Sequence, residues 1–178
     1  MQHVFLVPHD PKWLDDFSIE SSRVAVALGD VLSAIHHIGS TAISGICAKP
    51  IIDMLAVITD LGALDESERQ MAALGYECLG ELGIFGRRYF RKDDADGNRT
   101  HQIHAFQAGS PQIDRHLAFR DFMRAHSDCA KQYEALKLKL AEQHPTDISR
   151  YSEGKDDFIR EMDARAFAWK LSGQRVVD

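Results

Sequence analysis

Eight residues, Ile51-Ile52-Asp53-Met54-Leu55-Ala56-Val57-Ile58, form an apolar run interrupted by a single carboxylate. An unbroken run of this kind predicts a strand buried on both faces, so the chain must place structure above and below a sheet. A carboxylate inside such a strand is costly to bury unless a cation, a metal or hydrogen-bond donors answer it. Asp53 therefore constrains chemistry as well as fold. Gly39-Ser40 stands twelve residues ahead of it. A Gly-Ser turn exposes backbone N–H groups and a hydroxyl, which suits a phosphate oxygen. Turn and carboxylate together fit a nucleotide phosphate and a divalent cation held between them. The plain alternative is a tight turn beside an Asp that accepts backbone hydrogen bonds.

The remaining pattern is α+β. Val4–Val7 reads as a short edge strand stopped by Pro8, and Pro11 starts a helix through Leu28. Val31–Ile38 reads as a strand. Thr59 caps a helix to about Leu74, with Gly75 as its stop. Tyr76–Leu79, Arg87–Lys92 and Thr100–Phe106 read as strands, the last two joined by the turn Asp93–Asn98. From Pro111 three helices follow: to about Ala125, from Ser127 to Gln143, and from near Asp147 to Ser172-Gly173. With 178 residues, this is one domain over 1–178, a core of about 1–110 and C-terminal helices of about 111–173. A net charge of −6 argues against a general nucleic-acid or anionic-membrane binder. No apolar stretch approaches the ~20 residues of a membrane span, and no secretory pattern opens the chain. Cys47, Cys78 and Cys129 are too scattered for a disulfide framework. The expectation is a cytoplasmic protein of unspecified oligomeric state.

Gly86–Lys92 holds four positive charges in seven residues and no acid. Arg87 and Arg91 share a strand face with Tyr89, and Arg is suited to bidentate phosphate contact. Tyr89 or Phe90 offers a ring for a base. The alternative is a solvated strand paired with Asp93, Asp94 and Asp96. Lys49-Pro50 leads into the Asp53 strand, which brings its ammonium near the Gly-Ser turn. Tyr151 and Lys155 are four apart and share a helix face. No Ser-His-Asp or Cys-His nucleophile arrangement is convincing.

The segment His37-Ile38-Gly39-Ser40-Thr41-Ala42-Ile43-Ser44-Gly45, with Ala48-Lys49-Pro50-Ile51-Ile52-Asp53, resembles the central motif of the GrpB-like family. The resemblance extends from Val7-Pro8, Trp13 and Phe17 through Arg99-Thr100-His101 with His104. It continues through Gly109-Ser110-Pro111 and His116–Asp121 to Tyr151, Gly154-Lys155 and Phe158. It implies the nucleotidyltransferase superfamily and a polymerase-β-like mixed sheet with flanking helices. Active members of that superfamily carry two strand carboxylates two residues apart; here the second position is Leu55. A third comes from a later strand, which here offers His101 and His104. These are three apart and face opposite sides, and His104 better matches the family pattern. The resemblance thus implies Asp53 and His104 as catalytic and metal-binding residues for Mg²⁺ or Mn²⁺. Gly39, Ser40, Lys49, Arg87, Arg91 and Lys155 would bind the phosphates. The implied partner is a nucleoside triphosphate or another phosphorylated small molecule, with a nucleoside monophosphate passed to an acceptor. A non-catalytic nucleotide-binding module with a degenerate metal site is the alternative, and a metal-dependent hydrolase a third. Related modules attached to dephospho-CoA kinase point to a nucleotide or cofactor connection. His116 and Arg120 share a helix face, with Arg120 placed to bridge helix and sheet.

Overall fold

A computed structural model describes residues 4–174. Helix α1 (Lys12–Leu28) begins where the Asp10 carboxylate accepts from the Lys12 N–H at 2.9 Å, and ends at Gly29 with φ +50°. Its inward face carries Trp13, Glu20, Val24 and Leu28 at helical spacing. The strands β1 (Leu32–Ile38) and β2 (Ile52–Ile58) follow. Helices α2 (Leu61–Glu66) and α3 (Glu68–Ala73) lead to β3 (Tyr76–Cys78), β4 (Arg87–Asp93) and β5 (Arg99–Gln107). Helices α4 (Pro111–Ala125), α5 (Ser127–Gln143), α6 (Ile148–Glu153) and α7 (Asp156–Gln174) complete the chain. The five strands form one mixed sheet in the order β1-β2-β5-β4-β3. Only β2 and β5 are parallel; the other neighbours are antiparallel.

The period of two along β2 divides its side chains between two cores. Ile52, Met54, Ala56 and Ile58 pack against Trp13, Val24, Leu28, Leu64 and Met71 under α1–α3. Leu55 turns the other way, onto Ile38 and Phe106 beneath Ile113 and Leu117 of α4. Each such apolar side chain contributes about 1.5–3 kcal/mol on burial. A third cluster joins Phe122, Met123, Tyr133, Met162 and Ala166 of the C-terminal helices to Ile43 and Ile46 of the β1–β2 connection. Thus the loop after Gly39-Ser40 is anchored in the helical part, while the strands flanking it belong to the sheet.

Three local readings of the sequence need correction. Val4–Val7 is not a strand: only Val7 forms an isolated bridge, to Ala48. The Thr59–Leu74 helix is broken at Ser67, and its cap is Asp60, which accepts from Ala63 N–H at 2.8 Å. Thr59 instead donates to the Val31 carbonyl at 3.2 Å. The last helix is two helices. Asp147 caps α6, the chain turns through Gly154 and Lys155, and α7 restarts with Asp156 and Asp157 at its positive end. The break has a packing cause: a Cβ on Gly154 would lie 2.5 Å from Leu140 Cδ2. Gly154→Ala is expected to lower stability by about 1–3 kcal/mol, or roughly 2–12 °C in Tm. Gly173→Ala, with nothing within 4 Å of the added carbon, serves as the control. Equal melting temperatures for the two variants would show that Leu140 yields freely.

Candidate active site

Gly39 adopts φ +70° and ψ −172°, and a Cβ there would meet Asp53 Oδ2 at 2.4 Å. The absent side chain lets the turn lie directly on the carboxylate. Residues 40–42 then form one tight helical turn, closed by Ala42 N–H to Gly39 O at 3.2 Å and Ile43 N–H to Ser40 O at 3.1 Å. Thr41 ties the turn to the start of β2. Its hydroxyl donates to Ile51 O at 3.2 Å and is left to accept from His37 Nε2–H at 2.9 Å. Helix α5 grips the following loop: Lys131 donates to Gly45 O, Glu134 accepts from Cys47 N–H at 2.5 Å, and Lys137 donates to Cys47 O. That grip also positions Lys49, two residues on.

Gly39, Ser40 and Asp53 line a cavity of about 610 Å³ between the sheet and helices α4–α7. Five cationic side chains reach it: Lys49, Arg99, Arg115, Lys137 and Lys155. Among the described residues of its wall, Asp53 is the one acid. In a chain of net charge −6 this is a local reversal of sign. The ammoniums of Lys49 and Lys155 lie 5.5 Å and 4.5 Å from the centre of the Tyr151 ring. Burial raises the Asp53 carboxyl to about 6, against the pull of Lys49 and Lys155. Burial also lowers Lys155 to about 8, helped by the nearby Lys49 and opposed by Asp53 and Asp156. Lys137, only 2% exposed, falls to about 8 through burial and the charge of Lys155.

Two imidazoles share the cavity wall, with ring centres 5.6 Å apart. The Arg87 guanidinium can only donate, so His104 Nδ1 accepts from it at 3.3 Å. The ring proton of neutral His104 is then on Nε2. For His116, Nδ1–H donates to Gln112 O at 2.7 Å, and Nε2 accepts from Arg115 at 3.3 Å. Burial and the neighbouring positive groups hold His104 near 3 and His116 near 4, so both rings are neutral at pH 7. As expected, His101 faces away, into a depression with Trp13 and Glu20.

The basic strand is corrected in detail. Arg87 is 6% exposed and spans Glu81 O, Leu82 O and His104, holding the β3–β4 loop rather than entering the cavity. Arg91 lies outside the cavity wall in an ion pair with Glu77 at 2.5 Å. Arg88 pairs with Asp65 and Lys92 with Glu20, rather than with Asp93, Asp94 or Asp96. Tyr89 lines the cavity; Phe90 is in the opposite core. Tyr151 and Lys155 stay adjacent although the helix breaks between them. His116 reaches the cavity, whereas Arg120 donates to His37 O at 3.0 Å and bridges α4 to β1.

The donor set does not fit the divalent-metal centre that the fold family implies. Leu55, at the second carboxylate position, is 0% exposed. The strand position opposite Asp53 is Gln102. His104 offers no lone pair, because Arg87 takes Nδ1 and Nε2 carries the proton. Among the described residues no three His, Cys, Asp or Glu side chains converge as a metal cluster. Sequence reading missed Arg99 as a cavity cation, and also Gln102, Arg115, Tyr133 and Lys137. Gln102 was legible as the residue two before His104 on one strand face. Lys137 carries no local signal, since its spacing is that of any half-buried helix lysine.

The family model for the GrpB protein matches residues 3–165. The chain belongs to the GrpB family. The GrpB crystal structure from Enterococcus faecalis superposes with a TM-score of 0.89 at 34% identity, covering 94% of this chain and 99% of that one. YqkA of Bacillus subtilis is 45% identical over 94% of this chain, which spans 48% of YqkA, about half its length. Dephospho-CoA kinase of Mycobacterium tuberculosis H37Rv is 27% identical, and this chain spans 46% of it. Cid1 in complex with its short product ApU gives a TM-score of 0.51 at 10% identity, covering 73% of this chain and 41% of Cid1. That likeness is one of fold. This GrpB-family chain has a mixed-sheet, nucleotidyltransferase-like α+β core with flanking helices. No helix among the described residues is long and apolar enough to cross a membrane.

Proposed function

We propose that the cavity binds a phosphorylated small molecule, in the first place a nucleoside triphosphate, as the donor in nucleotidyl transfer. One observation carries the reading: the ammoniums of Lys49 and Lys155 and a Gly-Ser turn converge on one half-buried carboxylate, in a cavity whose wall also holds Arg99, Arg115 and Lys137. Backbone N–H groups of the turn and the ammoniums of Lys49 and Lys155 are suited to phosphate oxygens. Asp53, with its carboxyl near 6, is ionised at neutral pH and suited to accept a hydroxyl proton. In that step the acceptor oxygen bonds to the α-phosphorus as its proton passes to Asp53, and the bond to pyrophosphate breaks. Lys155 balances charge on the leaving group. A neighbouring groove of about 660 Å³ shares Lys49, Ile51, Arg99, Gln102 and Ile148 with the cavity and supplies a route for the acceptor. Cid1 has been solved in complex with its short product ApU and terminal uridylyl transferase 4 of Trypanosoma brucei with bound dUTP, and this likeness of fold supports nucleotides as the first ligands to try.

A specific observation favours a second reading, a nucleotide-binding module without transfer: Leu55 is core and Gln102 faces Asp53. Titration with ATP, GTP, CTP and UTP, with and without Mn²⁺, separates the two. Binding with pyrophosphate release supports transfer; binding without release supports the module; absence of binding overturns both readings.

Affinity for the phosphate ligand, measured in chelator, is expected to fall as pH rises from 7 to 9, where the ligand's own phosphate charge is nearly constant. Asp53, with its carboxyl near 6, is already ionised there, and through about 8 Lys155 and Lys137 lose positive charges. That loss opposes an anion. An affinity that climbs between pH 7 and 9 would remove the lysines from the site.

A further inference from the structure

We infer that the cavity takes its phosphorylated ligand as the free anion, without a divalent cation, with the ammoniums of Lys49 and Lys155 in place of metal ions. This rests on the reading of the cavity as a phosphate site and fixes the form in which the ligand enters.

Three features lead there. The first is the shortage of metal donors. Mg²⁺ asks for hard oxygen ligands in near-octahedral order. Among the described residues of the wall Asp53 is the one carboxylate, and the amide of Gln102 stands opposite it. His104 and His116 have each committed their lone pair to an arginine, Arg87 and Arg115. A metal at either ring would first have to displace those contacts.

The second feature is what surrounds Asp53. Lys49 and Lys155 come from different parts of the chain, one from the approach to β2 and one from the α6–α7 turn. Both lie over a single ring, Tyr151, at 5.5 Å and 4.5 Å from its centre. Both lie close enough to Asp53 to pull its titration down. A divalent cation arriving at the carboxylate meets two like charges. A phosphate chain arriving at the same place meets two opposite ones, and each ammonium brings three N–H donors.

The third feature is the balance of charge over the whole wall. Of the five cations in the wall, Arg99 and Arg115 are already paired with Asp93 and Asp163, at 2.5 Å and 3.0 Å, and Lys137 donates to Cys47 O; among the described residues, no carboxylate pairs with the ammoniums of Lys49 and Lys155, which leaves two positive charges beside one carboxylate. Metal-dependent phosphate sites work the other way, with protein carboxylates holding the cation that holds the phosphates. Here the protein supplies the positive charge directly.

Isothermal titration of the wild-type chain with inorganic tripolyphosphate and with ATP, in EDTA and then in excess Mg²⁺, tests this. Binding in EDTA is expected, weakened several-fold when Mg²⁺ neutralises the titrant. In EDTA, Lys155→Ala or Lys49→Ala should weaken binding about tenfold. Asp53→Asn should tighten it several-fold, because the substitution removes a repelling charge. Binding that requires Mg²⁺ overturns the inference and leaves the phosphate-site reading intact. Loss of binding in Asp53→Asn, with an unchanged circular dichroism spectrum, likewise overturns it. No binding in either condition overturns the inference and the phosphate-site reading together. The wild-type comparison needs no variant, so poor folding of a lysine mutant does not protect the idea.

Discussion

Leu55→Asp is expected to cost about 5 kcal/mol of folding stability or more, with a fall in Tm of roughly 10–20 °C, and to create no metal site. On sequence spacing alone the substitution restores the paired strand carboxylates, since Asp53 and Leu55 lie on one face of β2. The structure shows what it would displace. Leu55 is 0% exposed and packs on Ile38 and Phe106. Removing the isobutyl group loses the usual few kcal/mol of a core truncation, and the new carboxylate has no donor in an apolar cluster. Asp53 escapes that penalty because it lies beyond the cover of α4, at the cavity. Chemical denaturation of Leu55→Asp beside Leu55→Asn measures the effect and separates charge from volume. A Leu55→Asp variant as stable as wild type, with tight Mn²⁺ binding, would show that the cluster opens to solvent.

Gly39→Ala is expected to lower stability by about 3 kcal/mol and to weaken phosphate binding more than tenfold. Two terms add. The backbone at φ +70° and ψ −172° is a region essentially confined to glycine, worth about 1–3 kcal/mol of strain. The new Cβ also lies 2.4 Å from Asp53 Oδ2 and 2.9 Å from Asp53 Cβ, so turn and strand must separate. Gly45→Ala isolates the first term: φ is +79° but nothing lies within 4 Å of the added carbon. Urea denaturation of both variants, with phosphate titration of each, checks the difference. If the two behave alike, contact with Asp53 carries no weight.

The central strand, most of the helix pattern and the Gly-Ser turn were legible because each rests on a local rule: an apolar run, a cap, a turn dipeptide ahead of a strand carboxylate. The α6–α7 break was not, because its cause is Leu140, on another helix. The same limit explains the errors in the basic strand. Arg87 and Arg91 have the right residue type and face, but partner choice is a tertiary matter. Glu77 sits opposite Arg91 in the β3–β4 register, and the carbonyls of the β3–β4 loop turn inward to Arg87. Conversely Arg99 reads as a turn-flanking residue, and only the fold brings it to the cavity. The separation of His101 from His104 was legible, since strand alternation is independent of the tertiary surroundings.

The shared ring of Tyr151 has a consequence for assembly. One ammonium over it belongs to the segment leading into the sheet, the other to the turn between the last two helices. Neither half of the chain owns the pocket, so a ligand there acts as a stitch across the seam. Its binding energy is also docking energy for α6 and α7. By mass action, ligand at a hundred times its Kd adds about 2.7 kcal/mol against any opening that undocks those helices. Protection of the α6–α7 amides from hydrogen exchange therefore reports occupancy before any product is known, which gives an unidentified ligand a readout that needs no assay of its chemistry.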